Sequence, residues 1–361
     1  MAKPAVVSRL RHADVSRGDN PPYPPMTAEA FPEAGLFQRG AAAFAASIPE
    51  HPADDGLFGP GSVTWRVHAD LSAPVSGLRS LLLQALHPLA MAGVDQHSQW
   101  RDDPGARFAS TAAYVLTTTF GDRAAARAAA ARVRKIHDWV TGTDPVTGKA
   151  YAASDPALLI WVHAAMVDSG LAAAAAYGTA LTPAEQDQYV AEMTAVAELV
   201  GVPAASFADG GAPASVAELN AYLEAVRPSL ATSKSTADTA AYLLNPLDIE
   251  PELADAFQVL AAAAVASLPG WARAMYGFGD AHSASAVPAP GSVPPPREEV
   301  RQVLGVLDAV YLGEPGVLEA RQRLTLRMRK AEQAQAPEHA QTSQQAQTSQ
   351  QAQTSQQAQP R

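Results

Sequence analysis

Apolar residues in this chain recur three and four positions apart from about residue 31 onward, and two-residue alternation rich in β-branched residues is hardly found. A helix returns a side chain to one face every 3.6 residues and a strand every two, so this spacing points to an all-α fold. Leu36, Phe37, Phe44 and Ile48 mark a first Ala-rich helix, which a Gly/Pro bridge at 56–61 ends. Between Pro74 and Gly93, Leu78, Leu81, Leu82, Leu83, Leu86 and Leu89 cover nearly every side, which predicts a deeply buried central helix bent near Pro88. A helix over 104–120 stops at Gly121. Asp122 stands as the N-cap of the next, 122–141, whose Arg/Ala face opposes a stripe of Val133, Ile136, His137 and Val140. Residues 142–153 read as a loop. Asp155-Pro156 opens a further helix through Leu158, Leu159, Val162, Met166 and Val167, and Thr182 with Glu185 three residues later forms a capping box. Helices are also expected over 215–227, 236–244, 251–268 and 298–330.

The chain has 361 residues, 47% apolar and 17% charged, enough for a sizeable core. Three parts are expected: an extended Pro-rich leader at 1–30, a helical domain at 31–330, and a tail at 331–361. From Gln341 the tail repeats Gln-Thr-Ser-Gln-Gln-Ala three times, which offers nothing to bury and reads as disordered. The longest apolar stretch, Leu253 to Trp271, is interrupted by Asp255, Gln258, Pro269 and Gly270, so it reads as a buried helix and no transmembrane segment is expected. The first 25 residues lack the apolar core of a secretory signal, and a cytoplasmic protein is expected. A net charge of -10 argues against a nucleic-acid partner.

Cysteine is absent, which removes disulfides, thiol nucleophiles, Cys-ligated zinc, iron–sulfur clusters and thiolate haem. The stretch 142–149 fails as a phosphate loop, because Thr143 stands where a Gly belongs and Ala150 where a Ser or Thr belongs. No Gly-x-Ser-x-Gly, His-Glu-x-x-His or Gly-x-Gly-x-x-Gly occurs, and no helical His has a Glu three residues before it.

Of nine histidines, His12, His51, His282 and His339 fall in Pro-, Ala- or Ser-rich stretches and are expected in solvent. His68, His87, His97, His137 and His163 lie in the helical centre. His137 shares its helix's apolar stripe, so its imidazole should point inward; either it is a hydrogen-bonded core histidine or it offers a neutral nitrogen of the kind a proximal haem ligand needs. His163, between Leu159 and Met166, invites the same two readings, the core one more strongly. His87 precedes Pro88 and could bond a carbonyl freed by the bend. Arg107 and Thr111 lie four apart on one helix and share a face. They either project together into an apolar pocket, where they could hold an oxygen species, or are spent locally, Arg107 on Asp102 or Asp103 and Thr111 on a carbonyl.

Taken together, Gly59-Pro60-Gly61-Ser62, Leu83-Gln84-Ala85-Leu86-His87-Pro88, Gly93-Val94-Asp95-Gln96-His97-Ser98, Arg107-x-x-x-Thr111, Ile136-His137-Asp138-x-Val140-x-Gly142, Tyr151-x-Ala153-x-Asp155 and Trp161-Val162-His163 resemble the MpaB and rubber oxygenase superfamily over about residues 55–280. The resemblance implies a globin-like helical core with additional helices, carrying b-type haem and using dioxygen to cleave an isoprenoid double bond. It places His137 at the proximal iron ligand and Arg107 and Thr111 beside the haem. In the latex-clearing branch a Lys precedes the matching Thr; here Ser110 stands there, too short to approach the iron. His97 and His163 belong to the motifs without an assigned role. Arg66 and Arg79 are candidate partners for the haem propionates, since two carboxylates in an apolar pocket need cations.

The expected function is therefore a haem b-dependent oxygenase acting on an apolar, isoprenoid-like small molecule with dioxygen as co-substrate and an unidentified redox partner. The alternatives are a non-catalytic haem binder or gas sensor, and a haem-free carrier of an apolar ligand.

Overall fold

A computed structural model describes residues 35–98, 100–278 and 294–334. The expected leader, most of the expected tail, His12, His282 and His339 lie outside the described residues. In chain order the helices are α1 (Leu36–Ser47), α2 (Val63–His68), α3 (Ala73–Gln84), α4 (Pro88–His97), α5 (Pro104–Phe120) and α6 (Arg123–His137). A hairpin follows, β1 (Thr141–Thr143) and β2 (Ala150–Ala152), and then α7 (Pro156–Tyr177), α8 (Pro183–Val200), α9 (Val216–Val226), α10 (Lys234–Leu244), α11 (Ala254–Ser267), α12 (Gly270–Tyr276) and α13 (Arg297–Leu312). A last helix, α14, spans 317–334. The fold is all-α apart from the small hairpin.

Local sequence sets most helix starts. Asp122 accepts from the Ala125 amide, and Thr182 and Glu185 cap each other reciprocally, as their spacing requires. Asp155 caps α7 with Pro156 at its first position, where the missing N–H costs nothing.

The core is built on α3, which packs chiefly against α7 and then α11. Leu82, Leu83, Leu86 and Trp161 are completely buried between them. The single bent helix expected over 74–93 is two helices. Pro88 cannot donate an amide and pushes His87 to an extended backbone, φ -90 and ψ 112, so the chain breaks between Gln84 and Pro88. The carbonyls left at the break are taken by distant elements: Gln84 O by Trp161 Nε1 at 3.1 Å, Ala85 O by the Thr236 hydroxyl at 3.0 Å, and Leu86 O by the Ala231 amide at 2.9 Å. One turn earlier, Tyr276 donates its hydroxyl to Leu82 O at 2.6 Å.

Three other expectations are corrected. The loop at 142–153 contains the antiparallel hairpin, with Thr141 opposite Ala152 and Thr143 opposite Ala150; strands of three residues are too short to show alternation. The helix expected over 298–330 is interrupted after Leu312 and resumes at 317, where Gly316 takes a left-handed φ of 76°. The stretch 253–271 is not one helix either, since α11 and α12 meet at a bend of 116°. The helix long and apolar enough to cross a membrane is instead α7, and 67% of its apolar window is buried inside the fold.

Arg79, 3% exposed, joins α3 to α7 and α11. Its guanidinium meets Asp168 Oδ2 at 2.7 Å, the Ser169 hydroxyl at 2.7 Å and Ser267 O at 3.0 Å. All its nitrogens are spent within the scaffold. Replacing Arg79 by Met removes one partner of a desolvated pair and strands Asp168, so urea unfolding should show a loss of about 3–5 kcal/mol. A loss under about 1 kcal/mol would show that the pair adds nothing to the core.

Candidate functional site

Helices α5 and α6 pack against one another and are joined by the short turn at Gly121 and Asp122. From Ala106 to Thr117, α5 is half-buried at every position but the exposed Arg107. Its fully enclosed residues are Gly105 at the start and Thr118 to Phe120 at the end. On α6 the enclosed residues are Ala126 and Ala130, while Val133, Ile136 and His137 are half-buried. The stripe predicted for this helix is thus inward but not sealed.

His137 lines a cleft of about 390 Å3 with Arg134, Lys135, Asp138, Ser154 and Val200. That volume falls within the usual range for small-molecule sites. Its Nδ1 is buried and has no hydrogen-bond partner among the described residues. Burial pushes the imidazole pKa below its ordinary value, the positive charge of Arg107 pushes it further, and Asp138 opposes both. The ring is therefore held neutral, the form in which an imidazole can ligate a metal.

Arg107 thus comes within electrostatic reach of His137. Asp103 caps α5 and binds Arg39 at 2.6 Å. The Thr111 hydroxyl bonds back to Arg107 O at 3.0 Å, and the Ser110 hydroxyl does the same at 3.0 Å. Such back-bonding is the ordinary fate of a helical hydroxyl. Sequence reading missed Tyr114, seven residues after Arg107 and so on the same face of α5. Its hydroxyl is buried without a partner, and burial raises its pKa. Nothing in the sequence marks an orphaned phenol; the spacing from Arg107 and Thr111 was the one available signal.

The remaining predicted residues are spread through the scaffold. Arg66 pairs with Glu185 at 2.6 Å and Arg79 with Asp168, so each guanidinium already has a carboxylate. His97 Nε2 meets Thr141 O at 2.9 Å and its ring packs edge-on to Tyr151, which ties α4 to the hairpin. His87 is buried with Nδ1 unpartnered and leans on Trp161; it does not bond a carbonyl of the break, because Trp161, Thr236 and Ala231 have taken those. His163 is buried on α7 with both ring nitrogens unpartnered, so it is not the hydrogen-bonded core histidine that its stripe suggested. His68 shows what such a residue looks like: Nδ1 lies 2.7 Å from the Thr119 hydroxyl and Nε2 3.0 Å from that of Tyr189.

Among the described residues no group of three or more His, Asp or Glu gathers to chelate a bare metal ion. A second surface cleft, about 610 Å3 beside Trp271 and Arg227, contains none of the predicted site residues.

Residues 65–290 match the family described as ER-bound oxygenase mpaB/B'/rubber oxygenase, catalytic domain. No curated protein and no solved structure matches the chain significantly.

Burial lowers the pKa of both His68 and His163 from 6.5 to about 4. Between those values the unfolded chain binds protons that the folded one refuses. Stability should therefore rise as pH goes from about 4 to 6.5, be fully present above that, and fall as pH drops again. His163→Leu should flatten the slope over this window by up to one proton, about 1.4 kcal/mol per pH unit. An unchanged slope in denaturation midpoints measured across it would show that the imidazole titrates freely.

Proposed function

Because the chain belongs to the mpaB and rubber oxygenase family, whose catalytic domain its residues 65–290 match, we propose that it is an oxygenase that binds haem b through His137 and acts with dioxygen on an apolar, isoprenoid-like small molecule. The observation that carries the haem assignment is the neutral imidazole at 137, with a buried, unpartnered Nδ1 and a cationic Arg107 within reach. The donor set supports it as well. A non-haem iron site needs about three His or carboxylate ligands together, and none gather among the described residues, whereas a porphyrin supplies four nitrogens and asks the protein for one or two.

His137 would hold a bound haem, which would supply iron chemistry toward dioxygen. The chain's own residues do the rest. His137 offers a lone pair from a ring kept unprotonated by burial and by Arg107. Arg107 places a fixed positive charge where negative charge develops on oxygen. Tyr114 brings an O–H with no competing partner, and burial keeps that proton on the phenol at neutral pH. Ala112, Val115 and Ile136, half-buried on α5 and α6, supply apolar surface for the substrate and limit water.

One observation favours a second reading. Ser110 turns its hydroxyl back to the helix and leaves the pocket without the cation found in the latex-clearing branch, as a haem-based gas binder without turnover also would.

The reduced, haem-loaded protein should consume dioxygen with an isoprenoid probe such as squalene and release carbonyl products. Arg107→Ala should lower turnover at least about tenfold while retaining haem. A stable dioxygen complex that never yields carbonyls would establish the gas-binding reading and overturn the oxygenase one.

A further inference from the structure

The chain carries a net charge of -10, yet α6 contains Arg123, Arg127, Arg132, Arg134 and Lys135 and no Asp or Glu. All five side chains are exposed. Arg123 is engaged with Gly56 O. Arg127 lends its field to Asp54 but, like Arg132, Arg134 and Lys135, makes no ion pair among the described residues. Directly beyond the helix stands Trp139, 64% exposed, while Trp65, Trp100 and Trp161 are all buried. Hydrated cations are at home in water, but here four of them without ion-pair partners among the described residues stand next to a large exposed indole, so positive charge and apolar surface are presented together.

We propose that this face of α6, with Trp139 at its end, docks on an anionic lipid surface. The four unpaired cations would meet lipid phosphates, and Trp139 would enter the headgroup boundary, the level at which indole rings are enriched. The exposed indole separates lipid from a soluble polyanion, which offers charge but no apolar layer. Long-range repulsion between an acidic protein and an anionic membrane does not prevent this, since charges beyond about 8 Å are screened at physiological salt. It does orient the protein, because only the basic face can approach. Arg134 and Lys135 also line the cleft at His137, so docking would turn that cleft toward the bilayer, where apolar substrates concentrate. That consequence rests on the proposed function; the docking does not.

The full chain should sediment with vesicles containing phosphatidylglycerol, not with phosphatidylcholine alone, and should be released as salt is raised. Replacing Arg127, Arg132, Arg134 and Lys135 together by Ala should weaken vesicle binding at least about a hundredfold, given roughly 1 kcal/mol for each cation at such a surface. Brominated lipid should quench the wild-type tryptophan emission, and Trp139→Phe, which leaves every charge in place, should abolish that quenching. Absence of binding to anionic vesicles at low salt would overturn the proposal. So would equal binding to heparin and vesicles with no quenching of Trp139, which would identify a soluble polyanion as the partner. Wild-type salt dependence and quenching decide the matter even should the fourfold variant fail to fold.

Discussion

The fold depends on the satisfaction of a helix end deep inside it. At the C-terminus of α3, carbonyls that lose their helical partners at Pro88 would be costly if left buried and unpaired. Trp161, Thr236 and Ala231 take them, and each comes from a different part of the chain. The break is therefore a junction where α3, α7 and α10 must arrive together. The Arg79–Asp168 pair fixes α3 to α7 one level away. With that frame set, α5 and α6 can remain half-buried along much of their length without endangering the fold.

This division of labour explains how the oxygenase motifs are distributed. Leu83 to Pro88 and Trp161 to His163 lie in the frame, and the residues at 93–98 fasten α4 to its neighbours. Asp95 holds Arg101 and Ser235, Gln96 holds the hairpin through Thr143 O and Tyr151, and His97 holds Thr141 O. Arg107, Thr111, Ile136 and His137 fall on the loosely packed pair. A family signature in this chain is thus largely a signature of architecture.

What could be read from the sequence follows the range of the interactions. The caps at Asp122, Asp155 and Thr182 are local and were legible. The pairing of Arg79 with Asp168 spans 89 positions and has no local mark. The break between Leu312 and residue 317, with Gly316 in a left-handed conformation, falls within a sequence whose amphipathic pattern continues on both sides, so α13 and α14 read as one. The hairpin is too short for periodicity. Tyr114 and His163 were missed or misjudged for a different reason: a polar atom without a partner is a property of the packed interior, which no spacing rule reports. Arg134 and Lys135 were visible as part of an acid-free run, but their place on the rim of the His137 cleft was not.

The central claim is that a neutral His137 is the protein's grip on haem. The direct measurement is optical titration of the purified protein with haemin, alongside His137→Ala, with far-ultraviolet circular dichroism to show that both remain helical. The account predicts a saturable Soret band at one haem per chain for the wild type and its loss in a variant whose helicity is unchanged. No Soret band in the wild type, or an identical one in the variant, would contradict it, and the second result would move the ligand elsewhere, with the unpartnered imidazole of His163 first in line.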